Sequence, residues 1–257
     1  MSDEGSRPIS LDPADWTEHR RVAHEALDFV LDYQEEVAEG PAWRPMPPEK
    51  EARLTGPLPV EGEGIEAAFD EFRETVHPYV LGNPHPRFWG WVPGQGTPGG
   101  IIAELLAAGV NPVTGPFNDS SARVEGQVID WLREAVGMPE ETGGVLTSGG
   151  SMANLIGLAV GRDAVANADV PRDGLVAEGT TPGVYASEAV HSSVKKSLQI
   201  LGMGRSALRS VPVDDDHRIR IDVLREMIEE DWRNGSDISP AILVGSAGTV
   251  DTGAFDD

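Results

Sequence analysis

The sequence predicts an α/β domain with a mainly parallel sheet, preceded by a helical N-terminal arm. Three observations carry this. Short apolar runs alternate with helical patterns from about residue 140 onward, which is how strands and crossover helices read in a parallel sheet. The stretch Gly143–Leu158 has the form strand, glycine turn, helix start. Residues 1–80 hold two helical patterns joined by a proline-rich segment, a poor basis for an independent core.

In chain order, a long helix is expected from Asp15 to Glu39, stopped by Gly40-Pro41. A short helix or turn follows in 49–60, and a second helix over Gly64–Val76. Residues 1–80 are read as an arm that packs on another surface, and 81–257 as the large domain. In Asn83–Trp91, prolines on both sides of His85 force an extended path toward the aromatics Phe88, Trp89 and Trp91. These aromatics either close a core or wall a pocket for an organic substrate. Helices are expected over Pro98–Ala108 and Asn118–Val136.

Val145–Thr147 is read as a buried strand and Ser148-Gly149-Gly150 as a tight turn, with Ser151 as the N-cap of a helix reaching Ala168. Free N–H groups and the dipole at such a helix start attract a phosphate. An ordinary strand–helix connection is the other reading. Neither a Walker loop nor a GxGxxG fingerprint is present. Further strands are expected at Gly183–Ser187, Leu208–Val213 and Ala241–Val244. Helices are expected from His191 and over Ile221–Trp232. His191 falls at a strand-to-helix transition, the end of an α/β sheet where ligands bind.

Composition narrows the function. The 257 residues carry 43 acidic and 20 basic side chains, a formal charge of −23, so nucleic acid and anionic membranes are discounted as partners. The lysines are Lys50, Lys195 and Lys196. High acid content with so few lysines points to a salty cytoplasm, where screening relieves self-repulsion. An acidic protein of an ordinary cytoplasm is the alternative. With no cysteine, disulfides and thiolate metal sites are excluded, and the six histidines show no metal-ligand spacing. Asp214–Asp216 reads as a solvated turn. Met1–Pro13 lacks the apolar core of a signal peptide and no run approaches ~18 apolar residues, so a cytoplasmic location is expected.

Six motifs occur in a fixed order: HPRFWGW at 85–91, DWL at 130–132, GVLTSGGSMANLIGL at 144–158, YASEAVHSSVKKSLQILG at 185–202, VPVDDDHRI at 211–219 and AGTVDTGAFD at 247–256. Together they resemble the group II pyridoxal-phosphate-dependent amino acid decarboxylases, of the fold type I class shared with aspartate aminotransferase. The resemblance implies pyridoxal 5′-phosphate as cofactor, with its phosphate held at Gly150 and Ser151. It implies that His191 stacks on the pyridine ring and takes part in proton transfer. Thr249 falls in the segment beside the cofactor, although Val250 replaces a second threonine. Asp256 matches the acidic residue closing that motif. Phe88 and Trp89 would lie near the substrate, and residues 1–80 would form a homodimer arm.

The family's ring-nitrogen aspartate and Schiff-base lysine come later than residue 257, and Lys195 and Lys196 match neither. A C-terminally truncated large domain is therefore expected, inactive as an isolated chain and with Val145–Thr147 lacking ladder partners. The resemblance implies decarboxylation of an L-amino acid, aromatic by preference, with glutamate, aspartate and 2,4-diaminobutyrate also open. The alternatives are a non-catalytic relic, a dimerising or phosphate-binding module, or another fold type I enzyme such as an aminotransferase.

Overall fold

The computed structural model describes residues 10, 12–113, 119–166, 169–175, 181–234 and 238–257. The chain divides into two compact units, Met1–Pro112 and Val113–Asp257.

The first unit is helical. Helix α1 (Trp16–Glu36) begins where the Asp15 carboxylate accepts the Thr17 N–H at 2.7 Å. Helix α2 is Pro48–Leu54, with proline at its start, where a missing N–H costs nothing. Helix α3 (Ile65–Glu71) runs on through a π turn (Phe72–Val76) and a 3-10 turn (His77–Tyr79). Aromatic edges join α1 to this segment. Phe29 meets Phe69 at 5.8 Å and His77 at 4.8 Å, and Tyr33 meets His77 at 4.7 Å. Burial holds the His77 imidazole below its ordinary pKa.

The core of this unit is thin, as the sequence implied. Val22 is its one fully buried aliphatic side chain among the described residues. Helix α4 (Pro98–Val110) buries none of its residues, and Leu105, Leu106 and Val110 are exposed.

The segment carrying the aromatics is anchored by backbone contacts. The Gly82 N–H donates to the Ala42 carbonyl at 3.1 Å. A Cβ on Gly82 would stand 2.1 Å from that same oxygen. His85 is buried, its Nδ1 accepts the Arg87 N–H at 3.0 Å, and its Nε2 reaches the Gly40 carbonyl at 3.0 Å. Since Nδ1 accepts, Nε2 carries the proton and donates. Gly82→Ala is expected to destabilise this unit by about 2–4 kcal/mol through overlap and the lost hydrogen bond. Limited proteolysis around residues 40–45 measures it, and unchanged cleavage rates would show that the backbone yields there.

The second unit contains a parallel sheet of order β2-β1-β3, built from β1 (Thr181–Ser187), β2 (Leu208–Val211) and β3 (Ile238–Val244). Strand β1 is central, and alternation sends its side chains to two cores. Val184 and Ala186 pack with Leu158, Val190, Val194, Leu198, Met203 and Ala207, which brings in α6 (Gly150–Val165) and α8 (Ser192–Ile200). Tyr185 packs on the other face with Val211, Ile219 and Leu224, against α9 (Ile221–Asn234). Helix α5 (Ser120–Ala135) is capped by Asp119, whose carboxylate accepts the Ala122 N–H at 3.0 Å, and α7 (Val170–Asp173) is a single turn.

One buried polar cluster ties the sheet to α9. The Tyr185 hydroxyl donates to Asp231 Oδ2 at 2.5 Å, and Arg209 donates to Asp231 Oδ1 at 2.8 Å. Burial first, then the Asp231 carboxylate, pushes the Tyr185 hydroxyl well above its ordinary pKa.

Two expectations are corrected. Val145–Thr147 forms no strand: it has no ladder partner among the described residues, and Val145 and Leu146 are about half exposed. An apolar run becomes a strand only when a neighbour takes its N–H and C=O groups. Ser151 is not the N-cap of α6. Gly149 holds that position at φ 157°, and Ser151 lies inside the first turn. Asn118, Asn167, Ala168 and residues 176–180 fall outside the described residues.

Candidate functional site

The start of α6 presents a set of unspent donors. Met152 and Ala153 both donate back to the Gly149 carbonyl, at 3.0 and 3.1 Å. The N–H groups of Gly150 and Ser151 precede the first intrahelical bond, so they have no partner within the helix. The φ of 157° at Gly149 favours a residue without a side chain. A Cβ at Gly149 or Gly150 would meet nothing within 4 Å, so the space in front is open. Ser151 is exposed in the first turn of the helix, so its hydroxyl is accessible. Two amides, one hydroxyl and the positive end of a 16-residue helix suit a phosphate dianion.

His191 lies where β1 hands over to α8. It is the N-cap of α8, and its Nδ1 accepts the Ser193 N–H at 3.2 Å. Ser193 Oγ is 2.7 Å from the same nitrogen. Asn154, one turn into α6, donates from Nδ2 to Ser193 Oγ at 2.8 Å. The helix with the open N-terminal amides is thus hydrogen-bonded to Ser193, the residue that holds the imidazole. The His191 side chain is otherwise exposed.

Thr249 and Asp256 belong to the turn after β3. Thr249 is buried, its hydroxyl is 2.6 Å from that of Thr252, and it also accepts the Ala254 N–H at 3.3 Å. Asp256 closes the turn, its carboxylate accepting the N–H groups of Ser246 and Ile219, both at 2.8 Å. This geometry gives Asp256 a structural task. Asp256→Ala is expected to cost about 2–4 kcal/mol, the loss of two bonds to a charged acceptor, and to speed amide exchange at Ser246 and Ile219. Exchange rates unchanged at both amides would contradict it.

His191 and Thr249 follow the carboxyl ends of parallel strands β1 and β3, where α/β sheets bind ligands. Phe88 and Trp89 belong to the helical unit. Phe88 packs near Trp91, with ring centroids 6.3 Å apart, and Trp89 is 90% exposed. Trp91 has φ +55°, a left-handed conformation that a bulky side chain rarely adopts. Among the described residues no group of three or more His, Cys, Asp or Glu is placed to hold a metal. No described helix is long and apolar enough to cross a membrane.

Sequence reading missed Asn154 and Ser193. A signal was there: an asparagine among Ala153, Leu155 and Ile156 in a helix interior is a poor helix former that needs a reason to be present.

A parallel α/β sheet with open amides at a helix start and a histidine after a strand end is an arrangement at which α/β folds take anionic ligands. Residues 47–257 match the pyridoxal-dependent decarboxylase conserved domain, and the chain belongs to that family. The family's cofactor is pyridoxal 5′-phosphate, and the donor set at Gly150 and Ser151 fits its phosphate. The chain is 28% identical to an aromatic-L-amino-acid decarboxylase of Bacillus atrophaeus over 93% of its own length and 48% of the relative's. It is 35% identical to an L-2,4-diaminobutyrate decarboxylase of Acinetobacter baumannii over 60% of its length and 32% of the relative's. Its fold matches the crystal structure of Oryza sativa TDC with PLP and tryptamine at a TM-score of 0.81 and 25% identity, covering 96% of this chain and 52% of that one. The chain therefore spans about half the length of these full-length matches. The fold type I assignment, with a mainly parallel sheet and a helical N-terminal region, holds.

Proposed function

We propose that this chain serves the pyridoxal-phosphate-dependent decarboxylation of an L-amino acid, with an aromatic substrate preferred. The observation that carries it is the α6 start, where unspent amides and a hydroxyl are linked through Asn154 and Ser193 to His191. The aromatic preference is supported by the names of the relatives matched over nearly the whole chain. In this reading Gly150 and Ser151 hold the phosphate through two amides and a hydroxyl. His191 lies against the pyridine ring and holds a proton at Nε2 for delivery to the substrate carbon. Thr249 lines the same end of the sheet, and the family resemblance gives Phe88 and Trp89 a place near the substrate. When bound, the cofactor supplies an electron sink for the pair left behind as the carboxylate departs as CO2.

The same proposal includes a homodimer, supported by the unburied apolar side chains of α4 and the thin core of residues 1–112. It also includes a salt-rich cytoplasm, supported by the charge of −23. Sedimentation in high salt should then give twice the chain mass, and a monomer at every concentration would remove the dimer.

The chain is further proposed to form no specific covalent cofactor adduct by itself, because Lys50 lies in α2 and Lys195 and Lys196 in α8, none of them matching the family's Schiff-base position. The test is to incubate the chain with pyridoxal phosphate in high salt, reduce it with borohydride and map pyridoxyl-lysine by mass spectrometry. Saturable binding competed by inorganic phosphate, without a specific adduct, is expected. A stoichiometric adduct on Lys50, Lys195 or Lys196 would overturn the assigned roles, and absence of saturable binding would overturn the phosphate site.

A further inference from the structure

We infer that Asn154 and Ser193 are positioning residues that fix the tautomer of His191, setting its proton on Nε2 and tying the imidazole to the helix that anchors the phosphate. The role of that proton rests on the function proposed above, whereas the hydrogen-bond chain stands by itself.

The direction of the chain follows from one obligatory donor. The Ser193 backbone N–H can only donate, and it points at His191 Nδ1 from 3.2 Å. Nδ1 therefore presents its lone pair and the ring proton resides on Nε2. Ser193 Oγ, 2.7 Å from the same nitrogen, must then donate its single proton to Nδ1. That spends the hydroxyl's only proton, so its remaining partner has to be a donor. Asn154 Nδ2 supplies that donor at 2.8 Å. Each link leaves its neighbour a single choice, and a carboxylate at 154 would reverse the hydroxyl.

The surroundings fit a fixed element. Ser193 is 3% exposed, so water does not compete for its hydroxyl. Val194 and Leu198 next to it are core residues, so the start of α8 is held against the sheet. Nε2 makes no hydrogen bond among the described residues, and His191 is an exposed residue, accessible to a ligand. Asn154 follows Ser151 by one helical turn, so a shift of the phosphate anchor along the α6 axis is transmitted to the imidazole.

The test uses the cofactor-free chain with 15N-labelled histidine. Two-bond proton–nitrogen correlation is read at about pH 8.5, two units above an ordinary imidazole pKa of about 6.5. His191→Gln identifies the His191 signals. In the unmodified chain Nδ1 is expected at the pyridine-type shift and Nε2 at the pyrrole-type shift. In Asn154→Asp the carboxylate takes the Ser193 proton, and the fraction protonated at Nδ1 should rise about fivefold, the ratio carried by one hydrogen bond of ordinary net strength. Asn154→Ala, which favours the helix, should give a smaller change in the same direction. Ser193→Thr keeps the hydroxyl and should retain the original pattern. A purely structural role would change the melting temperature and leave the nitrogen shifts alone. A proton on Nδ1 in the unmodified chain, or identical shifts in both Asn154 variants, would overturn the inference. Failure of the decarboxylase reading shows separately, as loss of saturable pyridoxal phosphate binding with the tautomer intact.

Discussion

Asp231→Ala is expected to lower the unfolding free energy by about 3–5 kcal/mol, the cost of breaking a buried pair and leaving its partners unmatched. Asp231 is 6% exposed and Tyr185 1%, and both oxygens of the carboxylate are used, one by the Tyr185 hydroxyl and one by Arg209. Removing it strands a phenol and a guanidinium on the α9 face of the sheet. Asp231 is the one acceptor the described residues give the Arg209 guanidinium, whose Nε is already buried without a partner. Tyr185→Phe should cost less, about 1.5–3 kcal/mol, because Asp231 keeps Arg209. Asp231→Asn should fall between, since an amide can accept from only one side. Urea titration gives the order directly, and an Asp231→Ala loss below about 1 kcal/mol would remove the cluster from the account of stability.

The same cluster sets an alkaline limit. Burial and the carboxylate raise the Tyr185 pKa in the folded state. A group whose folded pKa is raised holds its proton more tightly when folded. Its contribution is complete below the unfolded tyrosine value of about 10 and is lost as pH climbs toward the folded value. Stability should therefore decline above about pH 10, and less steeply in Tyr185→Phe.

Ser151→Asp is expected to separate binding from folding. A carboxylate in the first turn of a helix interacts favourably with the dipole, so α6 should gain about 0.3–1 kcal/mol. The same charge faces the position of a phosphate dianion and removes a hydroxyl donor. Affinity for pyridoxal phosphate should fall by about 10–100-fold, the equivalent of one lost charge-assisted bond before repulsion is added. Equilibrium dialysis measures the loss and thermal melting measures the gain. Unchanged affinity would place the phosphate elsewhere. Loss of both affinity and melting temperature would mean only that the helix start was damaged, so Ser151→Ala, expected to lose about tenfold in affinity at nearly constant stability, completes the comparison.

The sheet was legible because β1 and β3 contain short apolar runs and all three strands are bounded by turn residues. The strand at 183–187 is covered on both faces, and its neighbours at 208–213 and 241–244 end in recognisable turns. The glycine turn before α6 was legible because Gly149-Gly150 ahead of an apolar helical pattern marks a helix start. At Val145–Thr147 the apolar run suggested a strand, and the expected lack of ladder partners is what the structure shows: without a neighbour among the described residues to take its N–H and C=O groups the segment stays irregular. Ser151 misled by a shorter distance. Serine is a good N-cap, but Gly149 reaches a φ that serine avoids and takes the position first. The hydrogen bond from Asn154 to Ser193 spans two helices, and no local pattern encodes a contact 39 residues apart. Asp256 showed itself as part of a motif, yet its bonds to Ile219 and Ser246 are readable only in three dimensions.

The strand order β2-β1-β3 also has a consequence for synthesis on the ribosome. The central strand is made first, and it waits exposed until its flanks arrive. Val184–Ser187 can pair with Leu208–Val211 once α8 has closed over them. Pairing with Ile238–Val244 must wait until α9 has also emerged. The turn holding Thr249 and Asp256 follows β3, so His191 emerges before Thr249. A nascent chain whose residues up to about 215 have left the ribosome should therefore show protection of β1 and α8, while the edge of β1 that takes β3 remains open to chaperones.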